Sequence, residues 1–321
     1  MQQTQAAFSQ LRDDLQSVII GQSALIDRLI IGLLTGGHLL LEGPPGLAKT
    51  TAVKALASGV HANFQRIQFT PDLMPSDITG SDIFDPNTSK FKFSPGPLFN
   101  EIVLADEINR APPKVQSALL EAMGEHQVSV GSTTHELPDL FFVMATQNPL
   151  EQMGTYPLPE AQLDRFLLHV VIDYPSNENE LLILKRDRQT HFGNDNLLGS
   201  SPIQPDTVLK ARRQVAEIHV EDTLEKYVVD IVTATRDIKK IDSSWAGYID
   251  SPASPRASIS LLRAASALAY LNARDYLIPD DIIEVAPDIL RHRIIPSFTA
   301  RANKITAEKM VDKIINIVPI P

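Results

Sequence analysis

A lysine and a threonine closing a run of glycines and prolines make the combination in this sequence best suited to gripping a polyphosphate. The run is Gly43-Pro44-Pro45-Gly46-Leu47-Ala48-Lys49-Thr50, with Thr51 behind it. A chain that turns closely around phosphate needs residues without bulk at the nearest approaches, backbone N–H groups aimed inward, one ammonium and one hydroxyl. Lys49 supplies the ammonium for the β- and γ-phosphates. Thr50 supplies the hydroxyl for Mg²⁺, a hard cation that keeps most of its waters and takes few protein ligands. Ala48 stands where glycine usually precedes the lysine, and a right-handed or extended backbone is expected there. The competing reading is a Gly-Pro turn leading into an ordinary amphipathic helix.

Other polar residues could complete such a site. The apolar stretch 102–105 ends in Asp106 and Glu107. Asp106 would hold the magnesium through water, and Glu107 would orient or polarise the water attacking the γ-phosphate. An acidic pair after a strand can also be a helix cap. Asn148 follows another apolar stretch, and its amide offers both donor and acceptor to the γ-phosphate or the attacking water. With Pro149 behind it, a plain Asn-Pro turn is the alternative. Ser254 and Pro255 read as N-cap and first helical residue, which puts Arg256 in the first turn of a helix. A cation there opposes the helix dipole by about 0.3–1 kcal/mol, so a phosphate arriving from the first domain is expected to favour it. Arg165 follows a polar loop over 151–160 and would act as an arginine finger on the nucleotide of an adjacent subunit. The alternative is a surface salt bridge with Asp164 or Glu160.

Positioning these residues requires an α/β frame. Strands are predicted at 38–42, 65–69, 102–105, 140–145 and 167–172, several apolar at consecutive positions, as in strands covered on both faces. Helical segments separate them, so the sheet is expected to be mainly parallel and doubly wound, with its site at the carboxyl ends of the strands. Phe8, Leu11, Leu15 and Val18 recur at helical spacing. A second helix, capped by Ser23, is expected to run to a stop at Gly36-Gly37. Two hairpins interrupt the alternation, one turning at 85–89 and one at 131–133. They are read either as substrate-handling loops or as covers for sheet edges. Beyond Pro175 the chain is predicted to be all-helical, with a capping box at 222–225 and loops marked by Gly199, Pro202 and Pro205 and by the stretch 242–254. The expected division is 1–175 for the nucleotide-binding core and 176–321 for a smaller helical domain.

Composition narrows the function class. With 321 residues and 43% hydrophobic content, two ordinary domains with well-buried cores are expected. A formal charge of −10 argues against a general nucleic-acid surface. The absence of cysteine excludes disulfides, thiolate zinc and cysteine nucleophiles, and fits a reducing compartment, so a cytoplasmic location is expected. The first sixteen residues carry no signal pattern, and the longest apolar run is far too short to span a bilayer.

Together these segments resemble the AAA+ ATPases, and more narrowly the MoxR family, over nearly the whole chain. Residues 43–50 resemble that family's Walker A form, alanine before lysine included. Asp106-Glu107 and the following Ile108-Asn109-Arg110-Ala111 resemble Walker B, and Asn148 resembles sensor 1. Residues 158–166 are similar to the arginine-finger segment and 254–258 to the sensor 2 segment. The stretch 18–22, with Ile20, Gly21 and Gln22, resembles the one that lies against adenine. The resemblance implies a five-stranded αβα core with a helical lid, ATP and Mg²⁺ bound between subunits, and a ring that is usually hexameric. It implies that the hairpins are the helix-2 insert and the pre-sensor-1 hairpin. Arg110 is placed to serve as a second interface arginine. The implied work is chaperone-like: remodelling or maturing protein complexes, often with metal insertion, beside a partner carrying a von Willebrand factor A domain. A nucleic-acid motor is the alternative from another class, suggested by Lys90 and Lys92 on one hairpin and opposed by the net charge. A third reading is an ATP-gated binding switch with little turnover.

Overall fold

Leu39, Leu40 and Leu41 are all fully buried, which a strand permits only when both of its faces are covered. The computed structural model describes residues 1–87, 89–148, 154–190, 201–240 and 242–321. In chain order, α1 (Gln2–Val18) and α2 (Ser23–Thr35) lead to β1 (Leu39–Glu42), α3 (Lys49–Gly59), β2 (Phe64–Gln68) and α4 (Pro75–Thr79). Next come β3 (Gly80–Asp85), β4 (Lys90–Pro95), β5 (Ile102–Asp106), α5 (Pro113–Glu125), β6 (Gln127–Val130) and β7 (Thr133–Glu136). Then follow β8 (Phe142–Gln147), α6 (Glu160–Leu163), β9 (Leu168–Val171) and α7 (Asn177–Thr190). The C-terminal part holds α8 (Pro205–Ala216), α9 (Asp222–Ala234), β10 (Ile249–Ser251), α10 (Pro255–Leu271), α11 (Pro279–Leu290), β11 (Ile295–Pro296), α12 (Phe298–Ala302) and α13 (Ala307–Ile317).

The five-stranded sheet has the order β2-β5-β8-β1-β9 and every pairing is parallel. Alternation divides its apolar side chains between two layers. Leu39, Leu41, Ile102, Leu104, Phe142 and Met144 join Phe8, Leu29, Val53 and Leu261 on one side. Leu40, Val103, Ala105, Val143 and Ala145 join Val115, Leu119 and Leu120 of α5 on the other. The register aligns Glu42 with Gln147 and Gln68 with Asp106, so the carboxyl ends form one edge. The expected strands thus form, with their ends shifted by one or two residues.

Three local expectations need correction. The C-terminal part is not wholly helical, because Ile249 and Ser251 pair antiparallel with Pro296 and Ile295. The helix at 222 starts from Glu221 with no side-chain cap, so the Asp222 capping box does not form. Likewise α2 starts from Gln22, and Ser23 is already its first helical residue. In both cases the chain enters the helix one residue before the side chain that could have capped it. The Gly36 stop is as expected, with a left-handed backbone at φ 67°. Gly199 lies outside the described residues. Among the described residues no helix is long and apolar enough to cross a membrane.

Both hairpins form, β3 with β4 and β6 with β7, although residue 88 of the first turn lies outside the described residues. They lean on each other through the Phe93 and His135 rings, stacked with centroids 3.7 Å apart. Beyond that contact, Phe84 and Phe91 pair edge-on at 5.4 Å at the tip and stay largely exposed.

His38 joins two layers just before β1. Its Nδ1 accepts the Val143 N–H at 3.0 Å, and its Nε2 lies 3.3 Å from the Met123 carbonyl, an arrangement only the neutral ring can make. Burial pushes its pKa down to about 3, and burial also lowers that of His292, with Arg293 and His169 acting in the same direction. A histidine whose folded pKa lies below its unfolded value contributes fully above about pH 6.5 and loses that contribution as pH falls toward the folded value. Stability measured by urea unfolding should therefore drop between pH 7 and pH 5, with His38 alone accounting for about 2 kcal/mol. Equal stability at the two pH values would contradict the buried neutral assignment.

Candidate nucleotide site

The loop after β1 is shaped by close approach. A Cβ at Gly43 would stand 2.5 Å from the Ile172 side chain and 2.7 Å from its carbonyl oxygen, so only glycine fits. Gly46 takes φ +84°, which glycine adopts without strain. Ala48 departs from expectation: it is left-handed, at φ 53° and ψ 24°, and not right-handed or extended. It is the residue on which the loop turns into α3, and its Cβ costs on the order of 1 kcal/mol that glycine would not incur. The first turn of α3 then carries Lys49, Thr50 and Thr51 to the mouth of the loop.

Lys49 Nζ donates to the Gly43 carbonyl at 2.5 Å, which holds the ammonium across the loop. Burial lowers its pKa, while Asp106, Glu107 and Glu42 act the other way and keep the charge. Glu42 itself lies low in pKa, first because His169 hydrogen-bonds it at 2.9 Å. A cavity of about 450 Å³ opens between the loop residues 45–51 and the strand ends Asp106, Glu107, Thr146, Gln147 and Asn148. Gly43 and Pro44 form the stem of the loop and not its lining. The fold therefore brings the phosphate loop, both carboxylates and Asn148 to one hollow. Pro149 and residues 150–153 lie outside the described residues.

Each carboxylate is already oriented. Thr146 Oγ1 donates to Asp106 Oδ1 at 2.6 Å and accepts the Glu107 N–H at 2.8 Å. Arg66 of β2 donates to Asp106 Oδ2 from Nη2 at 2.6 Å and from Nε at 3.0 Å. Gln68, two residues on, donates from Nε2 to Glu107 Oε2 at 2.7 Å, and Arg66 Nη2 also donates to the Gln68 carbonyl oxygen Oε1 at 2.7 Å. Glu107 has a left-handed backbone, φ 58°, and pairs with Arg110 at 3.1 Å in its own protomer. Arg66, Gln68 and Thr146 were not expected from the sequence. The available signal was the alternation of Arg66 and Gln68 about the buried Ile67, which puts both side chains on one face of a strand beside β5.

A second cavity, about 330 Å³, adjoins the first through Gly46, Leu47, Ala48 and Thr51. Its walls are mainly apolar: Val18, Ile19, Ile20, Pro175 and Ile183, with Gln22, Arg186 and Asp187. Ile20 and Gln22 thus both line this apolar lobe. Gly21 between them takes φ +77°, and a Cβ there would meet the Asn179 amide at 2.6 Å. The contribution of α7 through Ile183, Arg186 and Asp187 was not foreseen. A polar lobe joined to an apolar lobe suits a phosphorylated nucleoside.

Comparison with known proteins agrees with this geometry. Residues 38–168 match the family described as ATPase family associated with various cellular activities (AAA), and residues 246–314 match the AAA lid domain. The chain is 44% identical to Chaperone MoxR1 of Mycobacterium tuberculosis, across 96% of this chain and 81% of that protein. The chain belongs to the MoxR family of AAA+ ATPases. Protein MoxR of Methylorubrum extorquens is 29% identical across 98% of this chain and 95% of that one. A crystal structure of a candidate ATPase from Cytophaga hutchinsonii superposes with a TM-score of 0.92 at 44% identity, covering 99% of this chain and 96% of that one. Membership in this ATPase family implies that the chain binds ATP.

Two arginines of this MoxR-family chain lie apart from that cavity. Arg165 Nη1 donates to the Leu120 carbonyl at 2.6 Å, in a separate surface hollow with Ser117, Glu121, Glu125, Gln127 and Gln162. Asp164 is no partner for it, being taken by Arg293 at 2.7 Å and Arg256 at 3.3 Å. Arg256 sits in the first turn of α10 as expected, and Ser254 Oγ accepts its N–H. Its Nη1 lies 3.3 Å from Asp164 Oδ2, a charge that favours a cation there, and its side chain is 61% exposed.

Proposed function

We propose that this chain hydrolyses ATP in a ring, usually hexameric in proteins of this kind, and uses the cycle for chaperone-like remodelling of protein complexes. Residues 1–175 would form the nucleotide-binding core and 176–321 the lid. The observation that carries this reading is the convergence of Lys49, Thr50, Asp106 and Glu107 on one cavity. Lys49 would neutralise β- and γ-phosphate oxygens, and the N–H groups at the start of α3 would bind others. Gln68 and Arg110 would hold the Glu107 carboxylate toward the attacking water, and Asn148 would fix that water or the γ-phosphate from the next strand. Arg165 would reach the nucleotide of the neighbouring protomer and Arg256 that of its own.

The residues present fit Mg²⁺. Among the described residues no group of three His, Cys, Asp or Glu is placed to cage a metal ion, and both Asp106 oxygens already accept hydrogen bonds. Thr50 and a water on Asp106 are the expected protein contacts, in keeping with a cation held mostly by phosphate and water. Bound there, the cation supplies charge neutralisation of the phosphates.

The protein-remodelling reading draws on the relative named Chaperone MoxR1 and on the exposed Phe84 and Phe91 at the hairpin tip, which suit contact with another protein. A client or partner with a von Willebrand factor A domain, and insertion of a metal into the client, belong to this proposal. One observation favours a nucleic-acid motor instead: Lys90, Phe91, Lys92 and Phe93 interleave cations with rings on β4. Affinity capture from the native cell with Glu107→Gln in ATP and Mg²⁺, against Lys49→Ala, separates the two. Recovery of a von Willebrand factor A protein or an immature metalloenzyme only with the loaded variant supports remodelling. Recovery of nuclease-sensitive nucleic acid with salt-dependent affinity would replace it by the motor.

A further inference from the structure

Asp164 is one of the points at which the lid holds the core, and it immediately precedes Arg165. Its two oxygens receive cations of different character. Oδ1 accepts from Arg293 Nε at 2.7 Å, and Arg293, 2% exposed, is fixed further by the Phe166 carbonyl at 2.7 Å and the Ile289 carbonyl at 2.6 Å. Oδ2 accepts from Arg256 Nη1 and from Ser254 Oγ, each at 3.3 Å, at the solvent side. The Arg293 contact is buried and cannot exchange without exposing a charge to an apolar interior. The Arg256 contact is long and exposed, so a competing anion can take it. A γ-phosphate is such an anion, with more charge than one carboxylate and oxygens spaced for the guanidinium fork.

The backbone on either side of Asp164 transmits little slack. Phe166 is fully buried, the N–H of Asp164 donates to Glu160, and the N–H of Arg165 donates to Gln162. Asp164 and Arg165 thus share one pinned turn, and what changes beside Arg165 when Arg256 leaves is the net charge on the Asp164 carboxylate. We infer that Asp164 is a positioning residue that couples a protomer's own lid arginine, Arg256, to the arginine, Arg165, that the same protomer presents to its neighbour. With Arg256 on Asp164, Arg165 is parked on the Leu120 carbonyl; with Arg256 drawn to a γ-phosphate, Asp164 is left to Arg293 and the setting of Arg165 changes. Occupancy of one site is thereby felt at the next. This inference rests on the roles proposed above for Arg165 and Arg256.

The chain has no cysteine, so a single Glu121→Cys substitution in the hollow beside Arg165 accepts one fluorophore on the full chain. The expected result is an emission change with saturating β,γ-imido-ATP and none with ADP. Arg256→Ala should abolish it and Arg256→Lys should restore part of it. Asp164→Asn, which keeps an oxygen for Arg293, should shrink it by about fivefold or more while the analogue still binds. An emission change that persists in saturated Arg256→Ala and Asp164→Asn overturns the coupling, as does no change in the parent. If Asp164→Asn fails to fold by circular dichroism, the Arg256 pair decides alone. The underlying reading is tested separately by calorimetry: if Arg256→Ala binds the analogue no more weakly relative to ADP than the parent does, the assignment of Arg256 to the γ-phosphate fails, and the coupling with it.

Discussion

Arg165→Ala is expected to lower ATP turnover by the assembled protein by about 10³-fold or more, while ATP affinity measured on the dilute protomer stays within about threefold. The split follows from where the side chain lies. Arg165 does not line the cavity that holds Lys49 and Glu107; its guanidinium faces a different surface, where the Leu120 carbonyl is its acceptor and Glu121 and Glu125 are its neighbours. A cation that approaches the nucleotide only across an interface adds nothing to binding by one protomer. It does much to stabilise the negative charge that develops in the transition state. Arg165→Lys should recover little, because an ammonium lacks the planar fork that meets two phosphoryl oxygens at once. Equilibrium binding by calorimetry beside steady-state phosphate release at high protein concentration gives both numbers. Loss of affinity in the dilute protomer, with turnover falling only in proportion, would place Arg165 in its own site.

Glu107→Gln should separate binding from hydrolysis in the opposite place. Turnover is expected to fall by about 10²–10⁴-fold, the usual worth of a general base, with ATP retained on the protein. The substitution is close to isosteric, and the Gln68 amide can still donate to the new side-chain oxygen. The left-handed backbone at residue 107 bears the same Cβ either way. What is lost is the charge that pairs with Arg110 at 3.1 Å and that, in the proposed role, would draw a proton from water. Chromatography of the nucleotide left after desalting should show ATP in the variant and ADP in the parent. Equal rates of phosphate release would move the base elsewhere.

The parts of this site legible in the sequence are those written as contiguous runs. Residues 43–50 announce their loop because glycine, proline, lysine and threonine at that spacing have few other uses, and Asp106 and Glu107 stand out at the end of a buried apolar run. The sheet was legible for the same reason, since strands buried on both faces leave unbroken apolar stretches. Arg66 and Gln68 were not, because their meaning depends on β2 lying beside β5, and strand order is decided by packing across the whole sheet. In the sequence Asp164 stands only as one alternative partner for its own neighbour, and only the fold brings Arg256 and Arg293 to it from more than ninety residues away. The Ala48 backbone escaped because loop closure, and not the residue's own preference, sets its left-handed turn. The small β10–β11 pair escaped because two or three residues carry no usable period.

Mixing two inactive chains asks most directly whether the site is completed by a neighbour. Arg165→Ala keeps Lys49, and Lys49→Ala keeps Arg165, so each homogeneous assembly should be nearly inert. In an equal mixture about a quarter of the head-to-tail interfaces pair an intact loop with an intact arginine. ATP hydrolysis should then reappear at up to about that fraction of the parent rate, and disappear on dilution. A mixture as inactive as its two components, or an Arg165→Ala chain active by itself, would contradict an active site shared between protomers.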